Sequence, residues 1–430
     1  MGIPLVHEGE EVKILHFGLG AFHRAHQAVH TQEAGDGWTI CAVAPRSPDV
    51  VRALRAQDHR YTLLVRDGER VSATEVTSIR RTLHAPTESE EVVQYIADPS
   101  VRVITLTITE KAYADTAPGS PIGLLAAGLS RRSAAGAGPV AVVSCDNLLA
   151  NGARVREAVQ QVCGNVLEGV SFPATVVDRM VPATAPDDLA TAERLTGRPD
   201  LAAVVAEPFS QWVLQDDFPG GRPSWERAGA RFVADVEPYE RAKLRVLNGV
   251  HSALAYAGAL TGHEYIADAL DDPPLAHLAE RLLAEDVLPT LTPPPGVDLP
   301  SYGEQVVTRM RNRALRHRCA QIAMDGSMKV PIRLLGTARD RLTAGAFPHW
   351  TCLAVAAWLR HVTVSVDDAG HPVQVDDPRA ADLRRLAHAP ERLLAEVAPD
   401  LTDHSDFTTH LRTALSDFAK HGVRTTLAHS

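Results

Sequence analysis

The stretch VKILHFGLGAFHRAHQAVHTQE, Val12–Glu33, decides the fold class. Its first six residues are apolar or β-type, Gly18-Leu19-Gly20 interrupts them, and a helical stretch follows to about Glu33. A strand, a glycine turn and a helix in that order bring backbone N–H groups and the positive end of a helix dipole to one point, where a dinucleotide pyrophosphate can sit. The third glycine position of the G-x-G-x-x-G pattern is His23, and a glycine pair alone also describes an ordinary tight turn.

Working outward, WTICAVA (Trp38–Ala44), VRVITLTIT (Val101–Thr109) and VAVVSC (Val140–Cys145) are further apolar or β-branched runs. Strands this apolar suit a parallel sheet covered by helices on both faces. FPATVVDRMVP (Phe172–Pro182) and LAAVVAEPF (Leu201–Phe209) read as additional strands. The pattern changes near residue 236, after which helical periodicity dominates. Two interruptions are a proline-rich loop, Pro289–Pro300, and HVTVSVDDAGHPVQV (His361–Val375), read as a hairpin turning at Asp368-Ala369-Gly370. The expected organisation is an α/β dinucleotide-binding domain over 1–236 and a mainly α-helical domain over 237–430, with a long helix at the join presenting side chains to a cleft.

Composition narrows the function classes. The chain has 430 residues, 45% hydrophobic and 22% charged, which is ordinary for a globular protein of two or three domains. A formal net charge of −10 argues against nucleic acid or an anionic membrane as partner. Cys41, Cys145, Cys163, Cys319 and Cys352 form no CxxC pair, and free thiols in a reducing cytoplasm are the simpler reading. The N-terminus is acidic, without the basic and apolar regions of a signal peptide. No run approaches the roughly 18 apolar residues that a membrane helix requires.

The second strand ends in Ala44-Pro45-Arg46-Ser47, with no acid until Asp49. An acid there normally holds the adenosine ribose 2′-OH. Arg46 and Ser47 suit a 2′-phosphate instead, so NADP stands beside NAD as a possible cofactor; Arg46 as a solvated loop residue is the plain alternative.

The chemistry-bearing stretch is PYERAKLRVLNGVHSALAYAG, Pro238–Gly258. At about 100° per residue, Lys243, Leu247, Val250 and Leu254 share one stripe of a helix, with Asn248 and His251 beside it and Glu240 one turn earlier. Such a polar set on an apolar helix is costly unless something polar fills the gap; a lysine snorkelling to solvent is the alternative. Oxidising a secondary alcohol by hydride transfer requires a base for the hydroxyl proton. A free lysine titrates near about 10.4, whereas such catalysis wants roughly 7–8. Closing that gap takes about 4 kcal/mol, within reach of burial and a nearby positive charge. Asn248 can hold the alkoxide through its amide N–H, and Glu240 can relay the proton.

These residues, with GLGAFHRAHQAVHTQ (Gly18–Gln32), TLTITEKAY (Thr105–Tyr113), SCDNLLANG (Ser144–Gly152), VDRMVP (Val177–Pro182), EPFSQWVLQDDFPGGRPSW (Glu207–Trp225), KLRVLNGVHSALAY (Lys243–Tyr256) and IAMDGSMKVPIRLL (Ile322–Leu335), resemble the mannitol dehydrogenase family of polyol-specific long-chain dehydrogenases. The family includes mannitol 2-dehydrogenase and fructuronate reductase. The resemblance covers nearly the whole chain. It implies a Rossmann-type domain followed by a helical domain, a metal-independent mechanism, and NAD, sometimes NADP, as cofactor. It implies Lys243 as general base and acid, Asn147 and Asn248 as oxyanion-holding amides, His251 as a substrate partner and Glu240 as proton path. Asp178 and Lys329 would line the polyol pocket; Arg333, with Lys329, is a candidate for a fixed cation facing the distal end of the substrate. Gly18, Gly20, Phe22, Arg24, Arg46, Glu110 and Lys111 are the candidate cofactor contacts.

The expected reaction is D-mannitol to D-fructose; the nearest rival is reduction of D-fructuronate to D-mannonate, and a nucleotide-binding sensor without turnover is a rival of another class. The expected partners are a small polyol or hexuronate, with no nucleic acid or membrane, in a cytoplasmic monomer or small homo-oligomer. Departures from the family pattern are a short segment between Tyr113 and Val140, Val250 where many members have serine, and Arg313 where many have proline. Gly262-His263-Glu264 lacks the further ligands of a zinc site. His23, His26 and His30 read as a helix packed under a nucleotide, and Gly128–Arg132 as a short basic loop.

Overall fold

The apolar runs of the first half assemble into one parallel sheet. The computed structural model describes residues 12–164 and 167–430, so the acidic N-terminal segment lies largely outside the described residues. The chain divides at Glu237/Pro238 into two units. In the first, the strands β1 (Ile14–Phe17), β2 (Ile40–Ala44), β3 (Tyr61–Asp67), β4 (Arg70–Val76), β5 (Ile79–His84), β6 (Val103–Leu106), β7 (Val140–Ser144) and β8 (Val170–Ser171) appear in chain order. Six of them form a sheet ordered β5-β2-β1-β6-β7-β8, with every neighbouring pair parallel. Strand order reverses between β1 and β6, and the crevice outside their carboxyl ends is where such sheets bind ligands.

Alternation along the strands explains the two-sided core. Ile14, Ala42, Val103 and Val143 face one apolar cluster. Leu15, Phe17, Val43, Ile104 and Val142 face another. Large side chains such as Ile14, Leu15, Phe17 and Ile40 are fully buried, each contributing roughly 1.5–3 kcal/mol.

Several elements differ from the sequence expectation. The hairpin β3–β4, turning at Gly68 with φ +57°, was not anticipated. β3 also pairs parallel with β10 (Val204–Ala206), which is all that forms a strand within Leu201–Phe209. Within Phe172–Pro182 the strand is β9 (Thr175–Asp178), paired antiparallel with β11 (Gln211–Gln215), itself parallel to β12 (Arg231–Val233). Gly128–Arg132 is not a loop but part of the helix Pro121–Ala135. There the buried Arg132 donates to the carbonyls of Ile96, Asp98, Ala137, Gly138 and Pro139, because a guanidinium can satisfy many helix-end and loop acceptors at once.

The second unit is helical. Its central helix, Val250–Leu260, is buried on nearly every side rather than along one stripe, as expected of a helix surrounded by others. It packs against His349–Thr363, itself buried at most positions. Gly326 permits one close approach, since a Cβ there would lie 2.4 Å from Trp358 Nε1 and 2.7 Å from the Tyr256 hydroxyl. The anticipated hairpin over His361–Val375 reduces to a single bridge, Val366–Pro372, around a turn with Gly370 at φ +88°. The reason is that His361–Thr363 complete the preceding helix. Among the described residues no helix is long and apolar enough to cross a membrane.

Candidate active site

In the first unit the glycine turn is fixed from three directions. Gly18 has φ +107°, and a Cβ there would lie 2.0 Å from the Thr107 carbonyl oxygen, so only glycine fits. The Gly18 and Leu19 N–H groups donate to Val43 O at the end of β2 (2.9 and 3.3 Å). Gly18 O accepts from Thr107 Oγ1 (2.8 Å) and His16 Nε2 (3.0 Å), while His16 Nδ1 accepts from the Thr105 hydroxyl at 2.7 Å. The His16 ring stacks on His23, centroids 3.4 Å apart. Burial holds both imidazoles neutral, pushing His16 down to about 3 and His23 well below the usual histidine range.

Beyond this turn the helix Ala21–Ala25 begins with no side-chain cap, so its first N–H groups are left over. Gly20 is exposed, and a Cβ there would meet nothing nearer than Gly18 O at 3.9 Å. Open space, uncapped donors and a switch point between β1 and β6 fit a dinucleotide's phosphates.

The loop after β6 is held by a residue the sequence reading did not single out. Asp146 accepts from the N–H groups of Ile108 (3.1 Å) and Thr109 (2.8 Å) and from the Tyr113 hydroxyl (2.7 Å). Burial raises its pKa against the pull of these donors. They fix Thr109 at φ +75°, a strained value for threonine, and start the exposed turn bearing Glu110 and Lys111. Its neighbour Asn147 is exposed, and Asp178 is buried at the end of β9.

Arg24 is otherwise engaged. Its guanidinium donates to Ala202 O and lies over the Tyr61 ring, and its own carbonyl accepts the Tyr61 hydroxyl at 2.6 Å. Its positive head is directed into the fold. Phe22 is half-buried and stacks on His26 at 5.1 Å. His26 Nε2 donates to Gln211 O at 2.9 Å, and His30 Nε2 lies 3.1 Å from Ser210 Oγ.

In the second unit, Lys243 opens a π-helical segment, Lys243–Gly249, that runs into Val250–Leu260. π-turns inside α-helices concentrate at functional sites. In a regular α-helix, positions five apart point about 140° away from each other. In a π-turn, positions i and i+5 are the pair joined through the backbone, so Lys243 and Asn248 come onto one face. The α-helical stripe expected from spacing is thereby corrected: burial of Lys243, Leu247, Val250 and Leu254 is general to the helix, and the change of pitch aligns the polar pair. A second π segment, Pro331–Leu335, lies against the first. A Cβ at Gly249 would lie 2.9 Å from Arg333 O, so glycine lets the two distorted turns meet.

Lys243, Asn248 and His251 are all buried, with Glu240 partly exposed one turn earlier. Asn248 Nδ2 and His251 Nε2 have no hydrogen-bond partner among the described residues. Buried groups without partners cost free energy that a bound polar molecule would recover. His251 is held neutral, its pKa well below the usual range; burial is the main cause, followed by His317, Arg333, Arg309 and Lys329. The His317 ring lies 5.5 Å from His251 and is itself pushed down to about 4 by burial and Arg309. Arg333 Nη1 donates to Ser252 Oγ (3.0 Å) and Lys329 Nζ to Met324 O (2.6 Å). His317 and Arg309 were missed in the sequence because neither lies at a helical spacing from Lys243. Arg313, the departure from proline, pairs with Asp268 and Asp271 at the surface. His263 is bound to Asp272 Oδ2 at 3.1 Å, and no group of three potential metal ligands occurs among the described residues.

A doubly wound parallel sheet with a glycine turn at its switch point, joined to a helical unit that buries a lysine beside an asparagine and a histidine, defines an oxidoreductase of the two-domain dehydrogenase type. Residues 12–227 match the mannitol dehydrogenase Rossmann domain and residues 235–419 the mannitol dehydrogenase C-terminal domain. The chain belongs to the mannitol dehydrogenase family. It is 36% identical to the D-mannonate oxidoreductase of Escherichia coli, over 98% of this chain and 96% of that one. It is 33% identical to the mannitol 2-dehydrogenase of Aspergillus terreus, covering 99% and 94%. Among solved structures it resembles Pseudomonas fluorescens mannitol 2-dehydrogenase in ternary complex with NAD and D-mannitol, with TM-score 0.87, 32% identity, and coverage of 98% and 94%.

Proposed function

We propose that this chain interconverts a secondary alcohol and a ketone on a six-carbon sugar acid, of the D-mannonate/D-fructuronate kind, using a nicotinamide dinucleotide. The observation that carries the choice of substrate is the surroundings of His251. After burial and the second imidazole of His317, the groups that depress it are the cations Arg333, Arg309 and Lys329. A site that collects cations around a buried imidazole suits a substrate that brings a carboxylate, which Arg and Lys hold by charge-assisted hydrogen bonds. The neutral pair D-mannitol/D-fructose is the second reading, supported by the likeness to mannitol 2-dehydrogenase with D-mannitol.

When bound at the glycine turn, the nicotinamide supplies the two-electron hydride chemistry. The chain's own residues manage the proton and the oxygen. In the oxidising direction unprotonated Lys243 Nζ takes the hydroxyl proton, and in the reducing direction the ammonium returns it to the carbonyl oxygen. Asn248 Nδ2 donates to that oxygen as charge develops on it, worth about 3 kcal/mol. Neutral His251 hydrogen-bonds a neighbouring hydroxyl through Nε2, and the partly exposed Glu240 passes the proton toward solvent. Asn147 would be the second amide on the oxygen.

The test follows reduced nicotinamide by absorbance with D-fructuronate, D-fructose, D-mannonate and D-mannitol on the purified protein. The proposal expects kcat/KM for the acids to exceed that for the neutral sugars by about 10²-fold or more, as for a site whose cations pair with a carboxylate that the neutral sugars lack. Turnover of the neutral pair alone would replace it with the polyol reading.

A further inference from the structure

The loop that carries Asn147 is fastened at both ends by residues outside the proton-transfer set. It follows β7 and leads into the helix Asn151–Cys163. At its start, both Asp146 carboxylate oxygens face the segment after β6. Oδ1 accepts from Thr109 N–H at 2.8 Å, and Oδ2 from Ile108 N–H at 3.1 Å and the Tyr113 hydroxyl at 2.7 Å. The Tyr113 oxygen also lies 2.6 Å from Ser144 Oγ at the end of β7, and because its own proton goes to Asp146, the serine donates.

At the other end, the buried amide of Asn151 does what a neighbouring strand would. Its Oδ1 accepts from Thr175 N–H and its Nδ2 donates to Thr175 O, both at 3.0 Å, which ties the helix start to the first residue of β9. The same Nδ2 donates to Asp146 O at 3.2 Å, and that carbonyl also accepts from Leu148 N–H at 2.9 Å. A Cβ at Gly152 would lie 2.4 Å from Phe172 O, so the helix start lies hard against the chain entering β9. Asp146 is held through its side chain to one segment and through its carbonyl to another, and the exposed Asn147 sits between the two anchors.

Such holding has a chemical use. An amide that stabilises a developing oxyanion acts best when it is in place before the charge appears. An exposed side chain on a loop gains little from packing, so its backbone must be held instead. A carboxylate that receives two backbone N–H groups and a phenol is a strong clamp, since hydrogen bonds to an ionised acceptor exceed neutral ones.

We propose that Asp146 is a positioning residue for the reaction: its carboxylate, braced by Asn151, sets the backbone from which the Asn147 amide reaches the reacting oxygen. This rests on the reading of Asn147 as an amide on that oxygen.

The experiment is a double-mutant cycle on the full-length protein with Asp146→Asn, Asn147→Ala and the pair. Reduced nicotinamide is followed at saturating nucleotide with whichever of the four sugars turns over fastest. Asn147→Ala is expected to lower kcat by about 10²-fold. Asp146→Asn keeps the side chain's size but turns an N–H toward donors, and is expected to lower kcat by about tenfold while sugar KM moves by less than about twofold. In the Asn147→Ala background the same change is expected to cost almost nothing more, since nothing is left to position. A residue with a merely structural role would multiply the two losses. Thermal melts verify folding. If Asp146→Asn does not fold, Tyr113→Phe, which removes one donor from the clamp, takes its place in the cycle, with an expected loss of about threefold that the Asn147→Ala background abolishes. Full turnover in the clamp variant beside a slow Asn147→Ala, or multiplied losses, overturns the proposal and leaves the reading of Asn147 intact. Wild-type turnover in Asn147→Ala overturns that reading, and the proposal with it.

Discussion

The glycine turn after β1 and the helix that carries Lys243 show how differently two polar sites can be encoded. At the turn, geometry follows from rules acting within a few residues: a positive φ demands glycine, and the flanking ladders place the turn at the carboxyl end of the central strands. At the lysine helix the decisive feature is a change of pitch, and there a distant segment packs close, its Arg333 carbonyl against Gly249. Local rules are legible from spacing. A π-turn packed against a distant segment is not.

Four outcomes would sharpen or break this contrast. The largest effect is expected at Lys243. Replacing it with alanine should lower kcat by about 10³-fold in either direction while leaving the nucleotide Kd within about twofold, since general acid–base groups contribute about 10²–10⁴-fold; steady-state kinetics beside a fluorescence titration separates the two. Next comes Gly18→Ala. With φ +107° and a contact of 2.0 Å to Thr107 O, the turn must rebuild, and dinucleotide affinity should fall by about 10²-fold or more with a loss of thermal stability. Unchanged nucleotide affinity would show that the turn is not the binding element.

Gly249→Ala tests the other region. Its Cβ would crowd the backbone oxygen Arg333 O at 2.9 Å, so one of the two turns must shift and the melting temperature should fall, offset only in part by alanine's better helix propensity. The altered pitch should lower kcat by about tenfold at constant nucleotide affinity. If kcat is retained, the alignment of Lys243 with Asn248 does not depend on that approach.

A separate effect, on stability rather than turnover, concerns acid. His30, His317 and His361 are each lowered to about 4 by burial, against an ordinary value near 6.5. Their folded-state pKa values lie below the unfolded ones, so the unfolded chain binds more protons between about pH 6.5 and 4, and stability falls as pH drops through that window. Each contributes on the order of 2 kcal/mol between pH 7 and 5. Melting temperature should therefore decline steadily from pH 7 to 5, in a scan run with a pH-insensitive reference dye; a flat profile would mean these imidazoles are solvated.

How much of the molecule was readable follows the same division. The sheet runs, Gly18, Gly20 and the change to helix near residue 236 could be seen in the sequence because period and turn chemistry are local. Lys243, Asn248 and His251 were visible as a costly polar set, and their burial agrees with that. Their mutual alignment was misassigned to an α-helical stripe. Arg24 was read as a cofactor contact because it sits in the glycine motif; only the fold reveals Tyr61 and the Ala202 carbonyl waiting for it. Asp146 escaped notice although it lies beside Asn147, because its partners, Ile108, Thr109 and Tyr113, are more than 30 residues away. His317 and Arg309 reach His251 from a separate segment, which no spacing reports.

The central claim is that an amine at position 243 moves the proton. The most direct measurement is chemical rescue of Lys243→Ala with small primary amines of graded basicity, following reduced nicotinamide in the presence of saturating sugar substrate. Turnover should return in proportion to free amine and rise with its basicity, with the nucleotide Kd unchanged. Turnover that no amine restores, or a variant that never lost it, would contradict the assignment.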